Sequence, residues 1–119
     1  MIRSLNALTP EVRENMRGGK GAVTFRHFFT PEEFTASARL CASITLPPGA
    51  GIGPHVHETE DELYFITRGE GMLDDGQTQR RVRAGDAVLT GNGESHAIHN
   101  DGDTDLELIA VILCYGPKA

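Results

Sequence analysis

Eight short segments of this chain read as β-strands, and no helical spacer separates any two of them. They are residues 23–29 (VTFRHFF), 38–46 (ARLCASITL), 62–67 (ELYFIT), 70–73 (EGML), 80–84 (RRVRA), 86–90 (DAVLT), 96–100 (HAIHN) and 106–115 (LELIAVILCY). Each is rich in β-branched or aromatic residues. Turn chemistry punctuates them at Pro47-Pro48-Gly49, Asp75-Gly76, Ala84-Gly85-Asp86 and Asp101-Gly102. Parallel strands need long crossovers, so a parallel βαβ sheet is excluded. Many short antiparallel strands within 119 residues imply one all-β domain, a sandwich or a barrel.

The segment before residue 23 reads differently. Thr9 can cap a helix, Pro10 suits a first helical position and Glu11 favours the positive helix start. Gly18, Gly19 and Gly21 then end it. The expectation is an N-terminal arm over residues 1–22 with at most one short helix, followed by a single barrel domain over residues 23–119. The Gly18–Gly21 stretch lacks the spacing of a nucleotide-binding loop and reads as a flexible turn. Thr30 with Glu33 forms a capping-box signal that supports one turn between strands.

Charge and composition narrow the partners. A formal net charge of −6 argues against nucleic acid. No apolar run reaches the roughly 18 residues of a membrane span, and the N-terminus lacks the basic-then-apolar order of a signal peptide. Cys41 and Cys114 stand singly in apolar segments and read as free thiols, which places the chain in the cytoplasm.

Chemistry concentrates in HVHETEDELYFITRG, residues 55–69. Side chains alternate along a strand, so His55 and His57 share a face, about 7 Å apart, with Val56 opposite. Glu62 opens the next strand and His96 a later one. Three imidazoles and a carboxylate suit one divalent transition metal ion per chain (Mn, Fe, Ni, Cu or Zn) rather than Ca or Mg. Four protein ligands on an octahedral ion leave two positions for water or substrate. An isolated strand histidine is more often structural: His99 has the opposite parity to His96, and His27 stands alone.

The spacing around these residues resembles the cupin superfamily. Its first motif runs glycine, five residues, His-x-His, three or four residues, glutamate, six residues, glycine. Here Gly49, His55, His57, Glu62 and Gly69 fill every anchor. Its second motif matches at Gly85, Gly93, His96 and Asn100, with Gly91 where the pattern has proline. The resemblance implies an antiparallel double-stranded β-helix, or jelly-roll barrel, with metal ligands at His55, His57, Glu62 and His96. Glu60 and Asp61 are rival carboxylates that the motif spacing disfavours.

Cupins carry many activities, so fold alone does not select one. Counting by twos from the ligands puts Tyr64 and Ile66 on the face of Glu62, and Ile98 and Asn100 on that of His96. Tyr64 and Asn100 are therefore the pocket candidates. A mostly apolar interior with a metal suits a small organic ligand with one chelating end. Arg26 and Arg39 could bind its carboxylate if they faced inward. Two function classes stand: a metal-dependent enzyme, such as an oxygen-using oxidoreductase or an isomerase, and a non-catalytic metal-dependent binding or sensor protein. The final strand is apolar on both faces, with Leu108, Ala110 and Ile112 on one and Ile109, Val111 and Leu113 on the other. A second cover is needed, which predicts a homodimer packed through the outer face.

Overall fold

The computed structural model describes residues 1–118. Ten strands form two sheets: β1 (Glu11–Glu14), β2 (Ala22–His27), β3 (Ala38–Leu46), β4 (Gly51–His57), β5 (Glu60–Arg68), β6 (Glu70–Asp74), β7 (Gln79–Arg83), β8 (Ala87–Gly91), β9 (Glu94–His99) and β10 (Leu106–Cys114). The six-stranded sheet runs β1-β2-β3-β10-β5-β8, and the four-stranded sheet runs β4-β9-β6-β7. Every pairing is antiparallel. The helical content of the described residues is three single 3-10 turns. This is the jelly-roll arrangement that the family resemblance implied, within the sandwich-or-barrel class that the strand pattern predicted.

The core lies between the sheets and follows strand parity. On β10, Leu106, Leu108, Ala110 and Ile112 are buried, while Ile109 and Val111 between them are half-buried. On β5, Glu62, Tyr64 and Ile66 face the same interior. Ala110 stands opposite Tyr64 on one side and Ala42 on the other. Two methyl side chains in one row leave room for the phenol ring beside them. Phe25, Ile44, Leu46 and Ile98 complete the packing, each fully buried large side chain contributing about 1.5–3 kcal/mol.

The N-terminal arm differs from expectation. Residues Glu11–Glu14 form a strand, not a helix, and β1 pairs with β2 from Glu11↔Phe25 to Glu14↔Ala22. The local signals at Thr9 and Pro10 are outweighed by the open edge of β2, which supplies backbone partners a lone turn of helix lacks. The glycine-rich loop is also no free turn. Gly51 N–H donates to Lys20 O at 2.9 Å, and Asn15 N–H to Gly21 O at 2.9 Å. Gly19 lies so close to Gly51, and Gly53 to the Arg17 carbonyl, that neither glycine has space for a Cβ. The loop is thereby pressed onto β4. The capping box forms as expected, with Thr30 N–H donating to Glu33 Oε1 at 2.8 Å.

Two local features aim the site. Between Ile52 and His55 the β4–β9 register slips by one residue, at Gly53-Pro54. On a regular strand Ile52 and His55 would point to opposite faces. The bulge turns both inward, and proline tolerates such a place because it has no N–H to offer the ladder. The second feature is Gly91, where the motif has proline. The Asp61 carboxylate fills the space a Cβ would take there. Asp61 also accepts a 2.5 Å hydrogen bond from Tyr115 Oη, while Asn92 N–H donates to the same Oη at 3.0 Å.

Candidate metal centre

His55 and His57 come from β4, Glu62 from β5 and His96 from β9, and one ligand atom from each lies within 4.8 Å of all the others. Register explains the convergence: His55 pairs with His96 across β4–β9. His57, Glu62 and His96 are buried and His55 is half-buried. The structure thus brings together the four residues the sequence singled out.

A partner outside the cluster turns each imidazole. His55 Nδ1–H donates to Gly53 O at 2.8 Å, and His57 Nδ1–H to Glu60 Oε2 at 2.6 Å. Thr90 Oγ1 meets His96 Nδ1 at 2.9 Å. Each Nε2 then points inward with a lone pair, the arrangement a metal-binding histidine needs. His96 Nε2 lies 3.1 Å from His55 Nε2 and 3.1 Å from His57 Nε2. Glu62 Oε1 lies 3.0 Å from His57 Nε2 and 2.9 Å from His96 Nε2, yet has no hydrogen-bond donor. Buried lone pairs facing one another and a carboxylate repel, and a cation among them removes the repulsion. Three imidazole nitrogens and one carboxylate oxygen are a donor set that fits a divalent transition ion.

Electrostatics agree with that role. Burial pushes the Glu62 carboxyl up, but the His55 and His96 imidazoles, when they carry a proton in place of the metal, pull it further down, to about 2, so it stays ionised. Burial lowers His96 below its ordinary value against the pull of Glu62, which favours the neutral imidazole a metal requires. Arg39 holds the Glu60 carboxyl below the usual range, with the bond from His57 acting in the same direction. Glu60 is thus the orienting acceptor of His57, and not a member of the ligand cluster.

The cluster opens into a cavity of about 180 Å³ lined by His55, His57, Glu62 and Tyr64 within and by Arg13, Arg17, His27 and Arg39 at the mouth. The Tyr64 ring stacks on His96 with centroids 4.8 Å apart and planes at 17°. Burial, then the Glu62 charge, raises its phenol well above the ordinary value. Asn100 is absent from this lining. Its amide donates to Leu46 O and Thr104 O at 2.9 and 2.7 Å and its carbonyl accepts from Gly102 N–H. Those bonds clamp a turn, which removes Asn100 as a ligand-contact candidate. Arg26 lies away from this cavity as well, beside Ser43 and Thr45, whereas Arg39 faces it. His99 is exposed, as its parity requires. Arg13 and Arg17 had no signal in the sequence while their segment read as a helix followed by a loose turn. His27 is on the cavity wall, bonded to Glu11 Oε1 at 2.8 Å.

Comparison with known proteins decides the lineage. The cupin domain family matches residues 42–112. The chain belongs to the cupin family. It is 46% identical over 113 residues to a Thermotoga maritima protein named as an oxalate-binding protein, covering 95% of this chain and 93% of that one. A crystal structure described as a predicted oxalate decarboxylase from Thermotoga maritima superposes with a TM-score of 0.93 at 46% identity, covering 96% of this cupin and 99% of the other chain. The polyketide cyclase RemF from Streptomyces resistomycificus shares the fold, with a TM-score of 0.78 at 23% identity over 99% of this chain and 82% of its own. No helix of the described residues is long and apolar enough to cross a membrane.

Proposed function

We propose that this cupin is a metal-dependent binding protein for a small chelating acid of the oxalate class. One observation carries the proposal. In a chain with 17 acidic and 11 basic side chains, the cavity over the cluster is lined by three arginines, and its sole acid is the ligand Glu62. Arg13 and Arg39 are paired to Glu11 and Glu60, so the free positive charge at the mouth is that of Arg17, and together with a divalent ion on the cluster it would draw anions inward. The size is consistent: about 180 Å³ corresponds to roughly six waters and suits a molecule of a few heavy atoms. A divalent ion held by His55, His57, Glu62 and His96 would supply Lewis-acid chelation of two ligand oxygens.

The descriptions attached to the Thermotoga maritima matches divide between binding and decarboxylation, and the cavity favours binding. Cleaving the carbon–carbon bond of hydrogen oxalate releases carbon dioxide and leaves formate, whose carbon must take up a proton. Glu62 is held ionised and has no proton to give, and the Tyr64 phenol, raised well above the ordinary range, is a weak acid for that transfer. His27 is held by Glu11. The same shortage weighs against isomerase chemistry.

The test is calorimetric titration of oxalate into manganese-loaded protein, with formate assayed after prolonged incubation. Expected are saturable binding to the loaded form, none to chelator-stripped protein, and no formate. Absence of binding to metal-replete protein would sink the proposal, and steady formate release would replace it with the enzymatic reading.

We also infer a homodimer. Leu63, Phe65, Leu89, Ile109, Val111 and Leu113 share the outer face of β5, β8 and β10, with Phe65, Leu89 and Leu113 exposed at 44%, 63% and 41%. A continuous apolar sheet face left in water is an aggregation liability, and a two-fold copy covers it. Light scattering on a sizing column should give twice the chain mass, and Phe65→Lys should shift it to the monomer. A monomeric wild-type mass refutes the dimer.

A further inference from the structure

Three arginines line the mouth of the cavity, but they are not equivalent. Arg39 is committed to Glu60 by two bonds, Nε at 3.0 Å and Nη2 at 2.7 Å. Arg13 is held by Glu11 at 3.0 Å and lies over the Phe25 ring at 4.0 Å. Arg17 is exposed and, among the described residues, its guanidinium makes no hydrogen bond or ion pair. The field of the first two is offset by their carboxylates. Arg17 presents a whole positive charge and five free donors.

The backbone at Arg17 is also unusual. It sits at φ 54°, ψ 30°, in the left-handed region. Arginine adopts that region at a penalty that glycine does not meet and that asparagine meets only in part. Strain retained by a residue with a functional side chain points to a role for the side chain. The loop is also tied to the metal centre. The Arg17 carbonyl abuts Gly53, and Gly53 O is the acceptor that orients His55. The guanidinium is therefore carried by backbone docked on the ligand strand itself.

We infer that Arg17 is the residue that selects the charge of the bound molecule: it recognises an anionic oxygen of the metal-chelated acid and discriminates against a ligand of the same shape with less negative charge. The inference rests on the binding function proposed above. An unpaired guanidinium gives a bidentate match to a carboxylate, and removing it leaves the chelating half of the interaction in place. Arg17 acts on the ligand, so metal content should not depend on it.

The experiment compares wild type, Arg17→Asn and Arg17→Lys, each manganese-loaded, in titrations with oxalate and with oxamate, in which one carboxylate is replaced by a carboxamide. Wild type should prefer oxalate. Arg17→Asn should bind oxalate about 10–100-fold more weakly, as loss of a charge-assisted contact implies, and the oxalate-to-oxamate ratio should fall towards one. Its metal content should be unchanged and its melting temperature no lower than wild type, because asparagine suits the left-handed backbone. Arg17→Lys should keep the preference in weakened form. Three outcomes overturn the inference: a wild type without preference, an Arg17→Asn variant with wild-type oxalate affinity, or equal losses for both probes. Wild-type protein that binds oxalate while the variant is unaffected removes only the role of Arg17. Metal-loaded wild type that binds neither probe removes the binding function and this inference with it.

Discussion

The inner and outer rings of the cavity are built in opposite ways. The inner ring, buried except for the half-buried His55, is drawn from strands β4, β5 and β9, and each of its imidazoles is turned by a second partner. The outer ring draws Arg13 and Arg17 from the N-terminal arm, one paired to a surface glutamate and one without a partner among the described residues. A metal needs several donors fixed within tenths of an ångström, which the strands of a barrel provide. An anion in a wet mouth needs charge nearby and tolerates slack. Rigidity is therefore invested where coordination demands it, and the charged rim is left to a loop.

The largest break in that contrast should come from the inner ring. His57→Ala should abolish stoichiometric metal binding, read by elemental analysis after dialysis, while His99→Ala should retain it. Equal metal loss in both variants would refute the parity argument. One step outward the effect shrinks. Glu60→Gln leaves the ligands intact but weakens the acceptor that turns His57, and metal affinity should fall about 10–100-fold. Unchanged affinity would show that packing alone orients the ring.

A smaller effect is expected at Gly91. Restoring the family's proline there puts side-chain atoms where the Asp61 carboxylate lies. Gly91→Pro should destabilise the fold by about 1–3 kcal/mol in denaturant melts, although it improves the match to the motif. A neutral or stabilising result would mean that Asp61 moves aside freely.

The mildest change should be the response of stripped protein to acid. The His96 imidazole is depressed from 6.5 by burial, so the fold favours its neutral form. The stability it brings is present above pH 6.5 and declines as pH falls below that value. Glu62, lowered from 4.5 to about 2, adds a loss in the same direction between those values. Denaturant midpoints should therefore fall between pH 7 and 5, and more steeply in the presence of metal, since protonation also competes with the ion. A midpoint independent of pH over that window would contradict the His96 shift, and one independent of pH from 4.5 to about 2 the Glu62 shift.

The same contrast explains what the sequence made legible. The inner ring was readable because strand parity places His55 and His57 on one face, and because Glu62 and His96 stand at the spacing of a family motif. The aim of that face was not readable: it depends on the bulge at Gly53-Pro54, and a slip of one residue between strands leaves little trace in a pattern of twos. The outer ring was missed for a different reason. Thr9, Pro10 and Glu11 carry genuine helix-start chemistry, but the free edge of β2 claims the segment as β1. Local propensity is a weak prior against such pairing. Asn100 failed as a pocket candidate because parity says which way a side chain points and not whether a carbonyl is already waiting for it.

The position of β10 has a consequence for the order of assembly. It lies between β3 and β5, paired to both along nearly its whole length, yet it follows all the other strands in the chain. Until it is synthesised, β1, β2 and β3 have no hydrogen-bonded link to β5 and β8, and Glu62 on β5 lacks the sheet that holds it against β4. Closing that gap joins segments some 60 residues apart in sequence, a long-range step of the kind that places β-rich domains among the slower folders, on the millisecond-to-second scale. A nascent chain would therefore carry two unfinished half-sheets with open edges, and the candidate metal cluster would assemble only when β10 closes the gap.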